Sequence, residues 1–316
     1  MVPKVSVNIC CYNSKRFIKE TIESVLTQTF NDFEVIIIND GSIDSTEEII
    51  KKFGDPRIRY FYQENRGLST SRNKAISLAK GEYIALLDHD DLWEPEKLKL
   101  QVEFLDKNPA VGIISSDGHT ISENNKILKR FSKINRFYRG KIVNQLIEKY
   151  WIVCSTVMMR KELLNETNWF RSDFKIAEEY DLFLRLALNT EFDYINKPLI
   201  KYRFHAGNTS KNEEKLYQEE IRIILDLNRN ENYKIFDLAI TRRLSRLYTE
   251  LAIIYSLKKE YEFAKDAIGQ ALNRKKNNIF ALVICGCLCL PLKLSLIMVW
   301  SFKKTRSAWR RISVAI

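Results

Sequence analysis

The first 116 residues alternate short apolar runs with amphipathic stretches, and no other feature restricts the fold as strongly. Val5 to Cys11 reads as a continuous buried strand. Phe17, Ile18, Ile22, Val25 and Leu26 fall on one face of a helix predicted from Lys15 to Leu26, with the Tyr12-Asn13-Ser14 turn placed to start it. The unit then recurs. A strand from Glu34 to Ile38 precedes a helix that Asp44 caps, with Glu47 as its capping-box partner, and a strand from Arg57 to Tyr62 precedes a helix from Leu68 to Lys80. Pro95 opens a further helix running to Asn108, and Val111 to Ser116 is a strand. Strands separated by helices predict an α/β domain, a mostly parallel sheet with helices on both faces.

Within that frame, Gly81 to Asp91 carries the chemistry. Tyr83 to Leu87 has the length and composition of a buried strand, and it ends in Asp88-His89-Asp90-Asp91. Ligands of an open α/β sheet bind beyond the carboxyl ends of its parallel strands. Side chains two apart on an extended segment point the same way, so Asp88 and Asp90 are expected to converge while His89 points away. Two hard oxygen donors suit Mg²⁺ or Mn²⁺ carrying a diphosphate. A lone Asp-x-Asp also fits a solvated acidic turn, and the surrounding segments decide against it. No G-x-G-x-x-G follows the first strand and no G-x-x-x-x-G-K-[ST] occurs, so a nucleotide would be held by side chains and a metal rather than a glycine loop.

Charge and cysteine usage narrow the partners. The net charge is +11, yet nothing acidic follows Asp266, while Arg274, Lys275, Lys276, Lys293, Lys303, Lys304, Arg306, Arg310 and Arg311 lie beyond it. The basic signal thus belongs to a greasy tail interleaved with tryptophans, which argues against nucleic acid. Cys10, Cys11, Cys154, Cys285, Cys287 and Cys289 sit in apolar segments without zinc-site spacing, as small hydrophobes of a reducing compartment would. No signal-peptide pattern precedes the first strand, so the catalytic part is expected in the cytoplasm.

Five ordered motifs carry a family resemblance. Val5-Ser6-Val7-Asn8-Ile9-Cys10-Cys11-Tyr12-Asn13, Gln28-Thr29, Asn39-Asp40-Gly41-Ser42-x-Asp44-x-Thr46, Asn65-x-Gly67 with Arg72-Asn73, and Leu87-Asp88-His89-Asp90-Asp91 resemble family 2 glycosyltransferases of the GT-A fold. The likeness runs over residues 4–210. It implies a Rossmann-like nucleotide-binding sheet and inverting, metal-dependent transfer of a sugar from a nucleotide diphosphate donor. By position, Cys11, Tyr12 and Asn13 line the donor, Asp40 bonds the uracil or other base, and Arg72 approaches the base or diphosphate. Asp88 takes the ribose or metal, and Asp90 the metal. Cys10 stands where many members carry proline, at a position that contributes mainly backbone.

The second half of this module supplies the acceptor side. Asp117 to Lys129 reads as a hairpin or a loop insertion around Glu123-Asn124-Asn125, and Ile152 to Arg160 as a strand. Ala177-Glu178-Glu179-Tyr180-Asp181-Leu182 resembles the family's Glu-Asp-Tyr-Asp-Leu segment, which puts Glu179 in the place of the general base. Deprotonating an acceptor hydroxyl needs a carboxylate, and Glu serves as Asp does. Acidic residues near a helix start also suit the helix dipole, a reading that fits Glu178 and Asp181 better. Lys201-Tyr202-Arg203-Phe204-His205 resembles the Tyr-Arg-x-His segment. His205 is either a structural histidine or a ligand of the metal or diphosphate. Trp151, Trp169 and Phe170 either stack on an acceptor sugar or are buried.

From Glu213 onward the pattern is helical. Leu251, Ala252, Tyr255, Tyr261, Ala264, Ile268 and Ala271 match one tetratricopeptide-like hairpin, read as a spacer over residues 211–277. Residues 278–316 form a hydrophobic and basic tail. Ile279 to Trp300 has the length of a membrane span, with one charge at Lys293 and a breaker at Pro291. Spanning would put the following basic groups outside, against the positive-inside tendency. A monotopic anchor satisfies both constraints, with Trp300, Phe302 and Trp309 at the interface and residues 279–311 on the cytoplasmic side of the cell membrane. A buried helical hairpin is the other reading. The expected activity is transfer to a lipid-linked or polysaccharide acceptor. An inactive scaffold of the same fold, or a metal-dependent nucleotidyltransferase or phosphohydrolase, would use the same carboxylates differently.

Overall fold

A computed structural model describes residues 2–164 and 169–288, with Met298, Val299 and Ser301. Contacts divide the chain into two units, one of residues 1–143 and 151–208, the other of residues 144–150 and 209–316.

The first unit is built on a sheet whose first four members are the predicted parallel strands. These are β1 (Val5–Cys11), β2 (Phe33–Asp40), β3 (Ile58–Gln63) and β4 (Tyr83–Asp88), in the order β3-β2-β1-β4. Their side chains are mostly apolar on both faces because both faces are covered. Val5, Val7, Ile9 and Cys11 share a core with Ile18, Ile22 and Val25 of α1 (Ile18–Leu26) and with Leu98, Val102 and Leu105 of α4 (Lys97–Lys107). Neighbouring positions of β1 and β2 face the other way. There Ser6 Oγ donates to Glu34, which pairs with Arg59, and Arg59 donates to the Leu78 carbonyl at the end of α3 (Leu68–Leu78). α2 (Thr46–Lys51) closes the second β-α unit.

Beyond β4 the sheet stops being parallel. β8 (Met158–Arg160) runs antiparallel to β4 and to β6 (Val111–Ser122), β9 (Glu191–Phe204) runs parallel to β6, and β5 (Leu92–Trp93) pairs antiparallel with β9. β6 extends six residues past its predicted end and forms a hairpin with β7 (Ile127–Arg130), its turn at the predicted Glu123-Asn124-Asn125.

Several predicted boundaries move for local reasons. Ser14 Oγ donates back to the Tyr12 carbonyl instead of capping, and α1 begins at Ile18 rather than Lys15. Asp44 receives the Thr46 N–H and the Lys15 N–H, so it joins two loops while α2 starts at Thr46. Of the strand predicted from Ile152, only Met158–Arg160 is β; Cys154–Thr156 coils into a 3₁₀ turn that brings Ser155 under the end of β4. α5 (Val143–Glu148) comes before that turn, and α6 (Glu178–Ala187) after it carries Leu182, Phe183 and Leu186 buried.

The second unit is helical, with α7 (Glu213–Asn228), α8 (Asp237–Lys258), α9 (Tyr261–Arg274) and α10 (Ile279–Leu288). Lys259, in the left-handed conformation, turns α8 into α9. Ala252, Ala264, Ile268 and Ala271 are buried between them. Arg243 is ion-paired to Glu220 and donates to the Glu148 carbonyl. Asn278 caps α10 by accepting the Ala281 N–H and donates to Ser245 and Thr249 of α8. No described helix is long and apolar enough to cross a membrane. Pro291, Lys293, Trp300, Phe302, Trp309 and the basic groups from Lys303 onward lie outside the described residues.

Candidate active site

The carboxyl ends of β1, β2 and β4 converge with the start of α6 and the end of β9. Asp40, at the end of β2, is 4% exposed and accepts hydrogen bonds from Gln63 Nε2 (2.7 Å), the Arg66 N–H (2.9 Å) and the Gly67 N–H (2.8 Å). The carboxylate thereby shapes the loop that leads into α3. Three of its roughly four acceptor positions are taken. Asn13, in the left-handed conformation, donates its N–H to Ser42 Oγ (2.9 Å) and accepts the Ile43 N–H (2.9 Å), which locks the loops after β1 and β2 together. Tyr12 projects from this junction, 47% exposed. Cys11 is buried with its thiol directed to the Ile38 carbonyl, and burial pushes its pKa up, so any contact it makes toward a donor is through its backbone.

Arg72 is the charge centre of the site, but it does not stand open toward a diphosphate. It is 3% exposed, and its guanidinium reaches Asp88 Oδ1 (2.8 Å), Glu178 Oε1 (2.8 Å) and Glu179 Oε1 (2.9 Å) while lying over the Phe170 ring. Asn73 pins Phe170 through both of that residue's backbone polar groups. Phe170 is therefore one of the buried aromatics, and Trp151 is buried against Tyr138. Three carboxylates share one cation. Burial and the adjacent Glu179 carboxylate raise Glu178 to about 8, with Arg72 opposing, and the other oxygen of Glu178 has no hydrogen-bond partner among the described residues. Burial also raises Glu179, against the pull of Arg72; Glu179 takes a further hydrogen bond from the Cys154 thiol.

Asp88, Cys154 and Glu179 each bring one potential ligand atom within 4.8 Å of the others. Arg72 already occupies one oxygen each of Asp88 and Glu179, and burial holds the Cys154 thiol protonated, so the cluster makes a poor cation site. The better donor set lies beside it. Asp90 Oδ2 and His205 Nε2 are 2.7 Å apart. His205 Nδ1 accepts the Gly207 N–H (3.1 Å), which leaves Nε2, the nitrogen facing Asp90, as the one that would ligate a cation. Asp88 Oδ2 and Asp90 Oδ1 have no hydrogen-bond partner among the described residues. Two carboxylates and an imidazole are hard and borderline donors that fit Mn²⁺ or Mg²⁺.

Asp91, the third carboxylate of the run, is fully buried. It accepts from Ser155 Oγ and from the Arg203 N–H (2.8 Å), while its carbonyl and that of His89 accept Thr21 Oγ (2.9 Å each). Burial and the neighbouring Asp90 and Asp88 push its pKa well up. It braces the loop and keeps clear of the crevice. Sequence reasoning gave Ser155 and Cys154 no place in the site; Arg203 had a signal, its position in the Tyr202-Arg203-x-His205 segment, but no role was read from it.

Residues 6–167 match the profile of Glycosyl transferase family 2. An uncharacterized glycosyltransferase of Rickettsia felis is 37% identical over 210 residues, 66% of this chain and 34% of its own length. A chondroitin synthase of Pasteurella multocida is 31% identical over 244 residues, 75% of this chain and 25% of its own. The chain thus spans about a third and a quarter of these two relatives. Among solved structures, Staphylococcus aureus TarS residues 1–349 in complex with UDP-GlcNAc superposes with a TM-score of 0.69 at 21% identity, covering 98% of this chain and 92% of that one. That likeness is one of fold, and the fold is GT-A.

Proposed function

Because the chain belongs to glycosyl transferase family 2, we propose that it moves a sugar from a nucleoside diphosphate donor, UDP before other bases, onto a polysaccharide or lipid-linked glycan with inversion. The observation that carries this reading is the meeting of Asp88, Arg72 and Glu179 at the end of β4, with Asp90 and His205 alongside.

Asp88, Asp90 and His205 would hold a divalent cation. When bound, Mn²⁺ or Mg²⁺ supplies charge stabilisation for the departing diphosphate. Tyr12, Asn13 and Asp40 border the crevice where the nucleoside would lie. Arg72 keeps Glu179 next to Asp88 and so keeps the base beside the donor end of the crevice. Glu179 takes the proton of the acceptor hydroxyl as that oxygen bonds C1 of the sugar. The bond from C1 to the diphosphate breaks on the opposite side, and a nucleoside diphosphate leaves. Burial favours this role, because a carboxylate raised toward neutrality is a stronger base than a solvated one.

The name of the Pasteurella relative supports a polysaccharide acceptor. The apolar and basic residues 279–311 support a lipid surface as the second partner, on the cytoplasmic side of the membrane. Incubation of the purified protein with UDP-sugars, a glycan acceptor and Mn²⁺, with the nucleotide product identified, tests the reaction class. Nucleoside diphosphate together with an extended glycan is expected. Pyrophosphate or nucleoside monophosphate would assign the carboxylates to nucleotidyl transfer or hydrolysis instead.

A further inference from the structure

Arg203 has no part in the chemistry above, yet it is a fully buried cation two residues before His205. A desolvated guanidinium persists only where its donors are met. Here they are met by three separate parts of the unit. Nε donates to the Asp90 carbonyl (2.8 Å), one terminal nitrogen donates to the Glu123 carbonyl (3.0 Å) and Asn125 Oδ1 (2.7 Å), and the other reaches Glu20 Oε2 of α1 (2.9 Å). The guanidinium lies 4.6 Å from the Phe17 ring centroid, and the same ring packs against His205 at 4.9 Å. Along the backbone, the Arg203 N–H is held by Asp91 Oδ1, and its carbonyl accepts Asn208 Nδ2 (3.1 Å). Asn208 Oδ1 in turn accepts the His205 N–H (2.6 Å).

These bonds form a closed path from the backbone of Asp90, through Arg203 and Asn208, to the backbone of His205. The β6–β7 turn joins it, since Glu123 accepts the Ala206 N–H and pairs with Arg16. We infer that Arg203 is a positioning residue: its planar fork fixes the separation of Asp90 and His205 and ties that separation to the Glu123–Asn125 turn. The claim rests on the reading above only for what the pair binds. Lysine cannot replace it, because a single ammonium reaches one of these directions and not all.

The test uses the full chain, wild type and Arg203→Lys, with Mn²⁺ alone as ligand and no donor. Calorimetry reads the Mn²⁺ affinity, and nitrogen-15 spectra of the metal-free protein read the His205 ring, assigned with His205→Gln. Expected for Arg203→Lys are Mn²⁺ affinity at least tenfold weaker and displaced His205 ring signals, below its melting temperature. Should Arg203→Lys not fold, Glu20→Ala/Asn125→Gly removes two of the guanidinium's partners without touching Arg203 and keeps the positive φ at position 125; a threefold loss with the same displacement is expected. A wild type that binds no Mn²⁺ would defeat the metal reading, and the His205 spectra would still decide this one. Unmoved His205 signals with Mn²⁺ affinity within twofold of wild type in a folded variant would overturn it.

Discussion

Glu179 occupies a pocket that strengthens it as a base and steadies it as a ligand of Arg72. Glu179→Gln keeps the shape and removes the proton acceptor, so kcat should fall by about 10² to 10⁴-fold while nucleoside diphosphate binding stays within a few-fold, as steady-state kinetics and calorimetry on one preparation would show. Unchanged turnover would take the base role from it. The neighbouring Glu178 has a different signature. Its folded pKa of about 8 lies above the ordinary value of 4.5, so the stability it contributes is fully present below pH 4.5 and is lost as pH rises through 8. Glu178→Gln, uncharged throughout, should therefore gain on the wild type by on the order of 1 kcal/mol per pH unit between about pH 5 and 8 in urea unfolding. Parallel profiles would mean that Glu178 is ionised in the folded protein.

At the scale of elements, β4 reaches the site because its start is packed without tolerance against β1. A Cβ on Gly81 would lie 2.5 Å from the Ser6 nitrogen and 2.7 Å from the Val5 carbonyl carbon, both backbone atoms that cannot swing aside. Gly81→Ala should destabilise the protein by about 1 to 3 kcal/mol in denaturant unfolding, with β1 and β4 pushed apart; a loss below a few tenths would show that the pair yields easily. β1, β2 and β4 were legible in the sequence because a buried parallel strand is a plain apolar run, and half-buried β3 was legible through its aromatic residues, which favour strands. β9 was not, since Glu191, Asp193, Asn196, Lys197 and Lys201 interrupt it and Pro198 falls in its middle. Its pairing with β6 shifts register around Asp117 opposite Pro198, which is how the sheet admits a residue without an N–H. The site residues at strand ends could be named from spacing, as with Asp88 and Asp90. Ser155 could not, and Arg203 stood inside the Tyr202-Arg203-x-His205 segment without a legible role, because their partners lie far off in sequence and only the mixed half of the sheet brings them together.

For the molecule as a whole, the two units carry different chemistry. The α/β unit holds every titratable group assigned to the reaction. The helical unit contains α10, whose Ala281, Ile284 and Cys287 are buried while Ile279, Phe280, Leu282 and Val283 are exposed. An exposed apolar helix face followed in sequence by basic residues without an acidic one suits an anionic bilayer. The protein should sediment with vesicles containing phosphatidylserine, and much less with phosphatidylcholine alone or at high salt. Equal partition to both would remove the electrostatic part of this reading.

The central claim is that the end of β4 binds a nucleoside diphosphate through a metal held with Asp90. Calorimetric titration of UDP, GDP, dTDP and CDP into the purified protein, with and without Mn²⁺ and repeated on Asp90→Ala, tests it most directly. One nucleotide, UDP first, is expected to bind only with Mn²⁺, and Asp90→Ala is expected to abolish the binding. Binding that ignores both the metal and the substitution, or no binding to folded protein, would contradict it.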